Sequence, residues 1–341
     1  MTLTRIRLQR FTAFKKLELE FSPGVNILVG ENGTGKTHLM KVCYAACDVS
    51  NTGASFADKL INVFLPSGRV IGRLVTPQQG GARCQVEIHT EGGKLVAKFT
   101  SRTKVAGSAE MSGVTYWVNH PIKSVFIPVK EMLANAPGFR SLYGQREIHF
   151  EAVYDDILER AYLPLPRGRI EAHRQHLFPD LERAIEGRVT VENEEFFLRS
   201  SQGRNTEFSL LAEGIRKLGL LWILIRNGAL PEGSVLFWDE PETNLNPKLF
   251  RVVVNVLLGL QRDGVQIFLT THDYVILKEF DLQRKNEDEV VFHSLYKERE
   301  TGEIVCKSTD SFLDIDPNAI ADTFDDLYDR EVKRSLGDID Q

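Results

Sequence analysis

The residues of this sequence that are best suited to chemistry form a loop at positions 30–37, which fits the pattern G-x-x-x-x-G-K-[ST] in full. An apolar run at 25–29 precedes this loop and a helix-like segment at 38–47 comes after it, which is the order of strand, loop and helix that a phosphate loop requires. Glycines let such a loop fold around a triphosphate, so that backbone N–H groups and the helix start face its oxygens. We therefore predict a nucleotide site here rather than a plain glycine-rich turn.

Single residues of this loop have distinct predicted roles. The Lys36 ammonium would reach the β- and γ-phosphates, which makes Lys36 a candidate catalytic residue, and the Thr37 hydroxyl would bind Mg2+. ATP and Mg2+ are therefore the predicted cofactors. The remaining nucleotide contacts are predicted at the neighbouring positions Asn32, Gly33, Thr34, Gly35 and His38.

A second apolar run, at 235–238, ends in two acidic residues that suit the same reaction. Asp239 can hold Mg2+ through water, and Glu240 can polarise the water that attacks the γ-phosphate. A further strand ends at 270–273 and carries His272 at its tip, where the imidazole can contact the γ-phosphate or the attacking water. Glu240 and His272 are therefore predicted to be catalytic, and Asp239 is predicted to be a metal ligand.

Together these motifs resemble the head of an ABC-type ATPase from the RecF, SMC and OLD-like branch of the AAA-labelled ATPases. The opening strands, at 6–14 and 17–21, are also similar to the start of that family. The matching motifs are Walker A at 30–37, Walker B at 235–240, the D-loop at 244–247 and the switch histidine at His272. The resemblance extends over roughly residues 3–280.

The resemblance implies a signature loop that caps the ATP held by a second copy of the chain. Residues 211–217 match its position, with Ala212 in place of the serine that the family uses to bond the γ-phosphate. The contacts to the partner's nucleotide would then come from Gly214, from the helix N-terminus and from Arg216 or Lys217.

Three further features of the family are a Q-loop, a coiled-coil arm and a TOPRIM nuclease. A Q-loop glutamine would lie in the second β region, where Gln78 or Gln79 is the nearest candidate. No sustained heptads precede the signature loop, which excludes a long coiled-coil arm, and we expect no TOPRIM nuclease within 273–341. The chain thus resembles the stand-alone ATPase subunits of bacterial anti-phage defence systems, which work with a separately encoded effector, often a nuclease.

Composition is that of an ordinary soluble protein, with 42% hydrophobic and 26% charged residues. The net charge of −5 argues against a protein that binds polyanions over its whole surface. No apolar run approaches the roughly 20 residues of a membrane span, and no signal-peptide core is found, so we expect a cytoplasmic protein. Four cysteines are too few for a disulfide scaffold, and we expect Cys43 and Cys47 to fill the core rather than bind metal.

The elements that position these motifs predict an α/β fold, a P-loop NTPase with an ABC-ATPase-like head. It combines an N-terminal antiparallel β piece, a central mainly parallel sheet flanked by helices, and an inserted helical subdomain. The predicted parts are an N-terminal lobe at 1–129, an inserted mainly helical subdomain at 130–208, a C-terminal lobe at 209–309 and an acidic tail at 310–341.

Three regions outside the motifs have local predictions of their own. Residues 51–59 have a loop-like composition. Strands are expected near 69–76, 83–90 and 94–101, beside the nucleotide rather than in the main sheet, with a hairpin turn at 91–93. The tail from Asp310 has ten acidic against three basic residues and a weak helical period, which suits either a docking segment for a basic partner or a solvated terminus.

The resemblance leaves three functions open. In the first, ATP closes a homodimer or larger homo-oligomer, and hydrolysis or partner sensing releases an effector protein. In the second, the closed dimer clamps duplex DNA, as in RecF-type repair. In the third, the chain is a scaffold that binds ATP with little turnover, which Ala212 favours. No membrane partner is expected in any of them.

Overall fold

Three β-sheets and ten α-helices are present in the computed structural model, which describes residues 1–78, 81–145, 148–166 and 172–336. The strands are β1 (Leu3–Phe11), β2 (Phe14–Glu20), β3 (Val25–Val29), β4 (Arg83–Thr90), β5 (Lys94–Thr100), β6 (Glu110–Ser112), β7 (Ser124–Ile127), β8 (Gly187–Glu192), β9 (Glu195–Ser200), β10 (Asn205–Glu207), β11 (Val235–Asp239), β12 (Gln266–Thr271), β13 (Val290–Lys297) and β14 (Ile304–Thr309). The helices are α1 (Lys36–Thr52), α2 (Phe56–Phe64), α3 (Val114–Asn119), α4 (Phe139–Gly144), α5 (Ala152–Ala161), α6 (Phe178–Ile185), α7 (Glu213–Arg226), α8 (Phe250–Arg262), α9 (Tyr274–Gln283) and α10 (Ala319–Leu336).

The central sheet has the strand order β14-β13-β3-β12-β11-β7, and only the pairing of β14 with β13 is antiparallel in the described residues. Every residue of β3, β11 and β12 is buried, because helices cover both faces of a parallel sheet. The carboxyl ends of parallel strands meet at one edge. The phosphate loop after β3, the acids at the end of β11 and His272 after β12 therefore come together there.

The N-terminal sheet has the order β2-β1-β4-β5-β6 and is antiparallel throughout the described residues. Its first strand alternates as the sequence predicts: Ile6 and Leu8 are buried, whereas Arg5 and Arg7 are partly exposed. The buried side chains join those of α1 and α2 in one hydrophobic cluster. The predicted α/β fold, with its antiparallel piece and its mainly parallel sheet, is confirmed.

Two local predictions in the N-terminal half are wrong. Residues 51–59 are not a loop, because α2 begins at Phe56, where the Ser55 hydroxyl caps the helix by accepting from the Asp58 N–H at 3.4 Å. Residues 69–76 form short 3-10 turns instead of a strand. A side chain at Gly72 would lie 2.6 Å from the Ser101 carbonyl oxygen, so this segment packs too closely for a regular strand.

The segment predicted as a helical insertion, 130–208, contains α4, α5 and α6 and also a three-stranded antiparallel sheet in the order β10-β9-β8. The sequence did not predict this sheet. Buried residues of the segment, such as Leu158, Leu181 and Phe196, belong to the same hydrophobic cluster as those of β11 and β12. The described residues of the segment therefore share the hydrophobic core of the main sheet.

The acidic tail forms the helix α10, although its helical period in the sequence is weak. Phe324 of α10 packs on Tyr274 of α9, with their ring centroids 4.6 Å apart. Asp316 and Asp322 lie near the start of α10, in a cleft that Gly30 and Glu31 of the phosphate loop also line. Within the described residues, no helix has both the length and the apolar character needed to cross a membrane.

Candidate functional site

Gly30, Gly33 and Gly35 of the phosphate loop have positive φ, and at two of them a side chain would also clash. Gly30 has φ +145°, and a Cβ there would lie 2.1 Å from the Leu295 carbonyl oxygen. Gly35 has φ +88°, and its Cβ would lie 2.5 Å from the Phe14 ring. Any larger side chain would displace the loop. The Thr34 hydroxyl, which donates to the Glu31 carbonyl at 2.8 Å, closes the turn between them.

Lys36 is folded into the loop that precedes it. It is only 5% exposed, and its Nζ donates to the carbonyls of Gly30 at 2.7 Å and Glu31 at 2.9 Å. Burial lowers the pKa of Lys36 to about 8, against the opposing effect of the Glu240 and Asp239 carboxylates. An ammonium held this way is ready to exchange its carbonyl partners for phosphate oxygens.

Thr37 and Asp239, the two predicted metal ligands, are in contact. The Thr37 hydroxyl donates to Asp239 Oδ1 at 3.1 Å, and the Thr270 hydroxyl donates to the same oxygen at 2.6 Å. Burial raises the pKa of Asp239 above its usual value, although both hydroxyls oppose the shift. A hydroxyl and a buried carboxylate are the hard oxygen donors that Mg2+ takes in phosphate sites, so these residues fit Mg2+.

Glu240 and His272 face each other across the ends of β11 and β12. His272 Nε2 lies 3.6 Å from Glu240 Oε1, and the Thr243 hydroxyl donates to Glu240 Oε2 at 3.1 Å. The Glu240 N–H donates to the Thr270 hydroxyl at 3.0 Å. Burial, together with the positive charge of Lys36, lowers the pKa of His272, while Glu240 opposes this. His272 is therefore a neutral imidazole near pH 7.

These side chains line one cleft of about 190 Å³. Its walls include the residues predicted for both the nucleotide and the chemistry, namely Asn32, Gly33, Gly35, Lys36, Thr37, His38, Glu240 and His272. Thr34 lies beneath the loop and is buried. The His38 ring packs edge-on against Phe64 at 5.3 Å, and burial lowers the pKa of His38. The structure thus brings together residues 30–38, 239–240 and 272.

The signature position lies at the start of α7, where it contacts the D-loop of its own chain. Gly214 is buried, and a Cβ there would lie 2.7 Å from the Asn244 carbonyl oxygen. The Asn244 side-chain amide donates to Glu213 Oε2 at 2.9 Å. Ala212, the residue before α7, is exposed. The exposed part of this loop is therefore Ala212 rather than Gly214.

Arg216 and Lys217, either of which was expected to reach a partner's nucleotide, both make contacts within their own chain. Arg216 Nε lies 2.9 Å from Oε2 of Glu131, a fully buried side chain. Lys217 is 1% exposed, and its Nζ donates to the Thr243 carbonyl at 2.7 Å. The turn of α7 points both side chains back to the insertion and the D-loop.

The Q-loop prediction gains no support from the topology. Gln79 lies outside the described residues, and Gln78 is exposed in the loop before β4, which belongs to the N-terminal sheet. β11 has β12 on one side and β7 on the other. Residues 128–131 follow β7 at the edge of the sheet that carries Asp239. This segment has no glutamine.

Cys43 and Cys47 are buried in the hydrophobic cluster, as predicted. Burial raises the pKa of both thiols, which disfavours the thiolate that a metal would need. Among the residues that the structure describes, no three or more His, Cys, Asp or Glu side chains form a group that could hold a metal.

Two residues of this site were missed from the sequence. Thr270 contacts both Asp239 and the Glu240 N–H, and Glu242 accepts bonds from the end of β12. The one available signal was position, because Thr270 lies two residues before His272 and Glu242 two residues after Glu240. Position alone does not indicate which way a side chain points.

The chain is similar in sequence to one protein family and, over short stretches, to known repair proteins. The family described as "AAA domain, putative AbiEii toxin, Type IV TA system" matches residues 25–278. The DNA replication and repair protein RecF of Acidothermus cellulolyticus is 49% identical over 47 residues, covering 14% of this chain and 13% of that protein. RecF of Limosilactobacillus fermentum is 30% identical over 95 residues, covering 28% and 25%. The matches thus span a quarter or less of these two relatives.

Solved structures show the same fold at low sequence identity. An SMC head bound to the C-terminal winged-helix domain of ScpA has a TM-score of 0.54 and 14% identity, covering 92% of this chain and all of that one. An SMC head with an extended coiled coil, derived from Pyrococcus furiosus and bound to the C-terminal domain of ScpA, has a TM-score of 0.51 and 12% identity, covering 96% and 99%. The fold is that of an SMC head.

Proposed function

We propose, from the premise that this chain belongs to the AAA domain family whose match covers residues 25–278, that it is an ATP-driven switch. It binds and hydrolyses ATP as an ABC-type ATPase and controls a separate effector protein in bacterial anti-phage defence. The observation that carries the ATPase part of this proposal is the meeting of Lys36, Glu240 and His272 in one cleft, with Asp239 bonded to Thr37 of the same cleft.

Nucleotide binding begins with Lys36. Its ammonium is bonded to two loop carbonyls, and phosphate oxygens are stronger acceptors than neutral carbonyls. Lys36 therefore transfers its bonds to the β- and γ-phosphates, while the backbone N–H groups of the loop and the start of α1 face the remaining oxygens. Mg2+, held by Thr37 and Asp239, would neutralise charge on the phosphate oxygens.

Hydrolysis is assigned to the pair Glu240 and His272. The Glu240 carboxylate accepts a hydrogen bond from the attacking water and orients it toward the γ-phosphate. His272 contacts the γ-phosphate or the same water. The Thr243 hydroxyl and Thr270 hold Glu240 in place, through its side chain and its N–H respectively. Catalysis in this scheme is positioning combined with electrostatic stabilisation.

The switch itself is closure between copies. Each nucleotide would lie between the phosphate loop of one copy and the α7 N-terminus, with Gly214, of another, so that ATP favours a homodimer or larger homo-oligomer. Gly214 keeps the D-loop close to α7 within its own chain. Exposed Ala212 would then be the part of the signature loop nearest the partner's γ-phosphate.

Turnover of a matched pair of variants tests the proposal. Glu240→Gln removes the carboxylate while keeping the side-chain shape, so we expect ATP hydrolysis to fall by about 100-fold or more with ATP binding retained. Glu91→Gln, an exposed residue of the β4–β5 turn, should hydrolyse ATP at the wild-type rate. Equal turnover in Glu240→Gln and wild type would remove Glu240 from the mechanism.

A second candidate function is DNA binding, favoured by the similarity to RecF. The ATP-bound Glu240→Gln protein would then bind duplex DNA with an affinity that falls steeply between about 50 and 200 mM salt. Fluorescence anisotropy with a labelled duplex measures this slope. The third candidate, a scaffold with little turnover, is favoured by Ala212 and by the engagement of Arg216 and Lys217 within the chain. Wild-type turnover close to the rate of uncatalysed ATP hydrolysis would support it.

A further inference from the structure

Glu242 joins the loop after β11 to the end of β12. Its Oε1 accepts hydrogen bonds from the Thr271 hydroxyl and from the His272 N–H, both at 2.7 Å. The paired residues of β11 and β12 end at Asp239 and Thr270. The Glu242 side chain therefore continues the connection between the two strands past the point where backbone pairing stops.

The loop that carries Glu242 needs such a connection. Glu240 and Asn244 both have left-handed backbone conformations, with φ +48° and +61°, which non-glycine residues adopt only when their surroundings hold them. On one side the Lys217 ammonium bonds the Thr243 carbonyl at 2.7 Å. On the other side the two bonds of Glu242 reach β12. The loop is thus held between the signature helix and the strand that presents His272.

The surroundings of Glu242 distinguish it from a surface carboxylate. Burial raises its pKa, against the effect of the His272 N–H and the Thr271 hydroxyl. Its second oxygen, Oε2, is buried and makes no hydrogen bond within the described part of the chain. A buried carboxylate is unfavourable unless hydrogen bonds compensate for its lost hydration. Both hydrogen bonds of Glu242 come from the end of β12, where His272 is held.

We propose that Glu242 is a positioning residue that holds His272 at its place opposite Glu240. The consequence for catalysis rests on the proposed ATPase function, whereas the position of His272 does not. His272 Nε2 lies 3.6 Å from Glu240 Oε1, so a shift of the His272 backbone changes the pair that is assigned to the attacking water. Small displacements of this kind lower the rate of the chemical step more than they lower substrate binding.

Two variants of Glu242 separate position from mere stability. Glu242→Gln keeps a carbonyl oxygen that can accept both bonds, so it should retain turnover within a few fold of wild type. Glu242→Ala removes both bonds, and we expect kcat to fall at least tenfold with KM for ATP little changed. Rescue by glutamine and the split between kcat and KM are not expected of a residue that only supports folding.

Hydrogen exchange of the His272 amide, measured by NMR in the nucleotide-free protein, tests the position without using activity. Protection of this amide should fall at least tenfold in Glu242→Ala and persist in Glu242→Gln. Thr271→Val removes only the hydroxyl that donates to Glu242, so the His272 amide should stay protected. Equal protection in wild type and Glu242→Ala would overturn the proposal. If wild type lacks turnover the ATPase assignment fails, and the exchange result still decides the role of Glu242.

Discussion

At the scale of single residues, the most informative group is Lys36. Its Nζ bonds two carbonyls of the loop that precedes it, and burial lowers its pKa to about 8. The loop thus holds a cation in low-dielectric surroundings without a directly bonded carboxylate among the described residues. An incoming triphosphate supplies the missing negative charge, which is a physical reason for the affinity of such loops for anions.

This pKa predicts a pH dependence of ATP binding. Bound phosphate favours the charged ammonium, so binding requires the protonated Lys36 and takes up a proton where the free protein has lost it. Below about pH 8 the lysine is already charged, and above it the affinity should fall, by roughly tenfold between about pH 7 and pH 9. Calorimetric titrations of the protein with ATP at these two pH values measure the change in affinity.

Lys36→Arg is the matched control for this prediction, because a guanidinium keeps its charge throughout this range. Its affinity, although weaker in absolute terms, should not change between the two pH values. An equal ATP affinity of the wild-type protein at about pH 7 and pH 9 would contradict the assignment of the lowered pKa to Lys36.

At the scale of elements, the pairing of β13 with β3 buries a histidine. His293 Nδ1 lies 2.8 Å from the Ser308 hydroxyl, and its Nε2 lies 3.1 Å from Asn26 Oδ1. Burial lowers the pKa of His293 to about 3. The folded protein therefore keeps this imidazole neutral, whereas the unfolded chain protonates it below about pH 6.5.

The sign of the resulting pH effect is set by proton binding. The unfolded state binds more protons between about pH 6.5 and pH 3, so stability is lost as the pH falls through that window. We expect His293 to contribute about 1 kcal/mol to the loss between about pH 7.5 and pH 5.5. Urea unfolding of wild type and His293→Gln at both pH values measures this loss of stability. A pH dependence of the same size in both proteins would contradict the prediction.

The helix α10 is the element that we expect to contact the effector. Phe324, Leu327 and Tyr328 are 45%, 50% and 67% exposed. Leu327 and Tyr328 follow Phe324 by three and four residues, which places all three on one face. Acidic residues surround this face at Asp322, Asp325, Asp326 and Asp329. An apolar strip with acidic surroundings suits a basic amphipathic segment of a partner protein.

A substitution on this face tests the docking role. Leu327→Asp should abolish co-purification of the co-expressed effector protein, while ATP turnover stays unchanged. Leu165→Asp, at an exposed leucine outside the α10 surface, is the control and should retain the partner. Retention of the partner by both variants would leave α10 as a solvated helix.

Some elements were predicted from the sequence and others were missed, for physical reasons. The buried strands β3, β11 and β12 were predicted because each is a short, mostly apolar run. The helix α2 was missed because its signal is a cap at Ser55 and an apolar face, in a segment that opens with loop-forming residues. The small sheet β10-β9-β8 was missed because it packs on helices, so its pattern reflects tertiary contacts.

At the scale of the whole molecule, the active unit should contain two copies. Lys36→Ala removes phosphate binding, and Ala212→Glu blocks the partner's nucleotide with a side chain at an exposed position that leaves its own D-loop intact. Each variant alone should hydrolyse little ATP. A mixture should recover about a quarter of the wild-type rate, since half of the pairs are mixed and each has one intact composite site.

Ala54→Glu, another exposed alanine, controls for the added charge and should keep full activity by itself. A mixed sample no more active than its separate components would argue for a site completed within one chain. The choice of Ala212 over Gly214 comes from the structure, because a side chain at Gly214 would strike the Asn244 carbonyl of the same copy.

The sequence by itself determined the family resemblance, the α/β fold and the residues that meet in the cleft. It could do so because a phosphate loop acts through consecutive residues, and because parallel strands bring their carboxyl ends to one edge. Only the tertiary structure decided the partners of Arg216 and Lys217 and the part played by Glu242. Those depend on contacts between residues distant in the chain, such as Arg216 with Glu131 and Glu242 with His272, whose geometry no local pattern specifies.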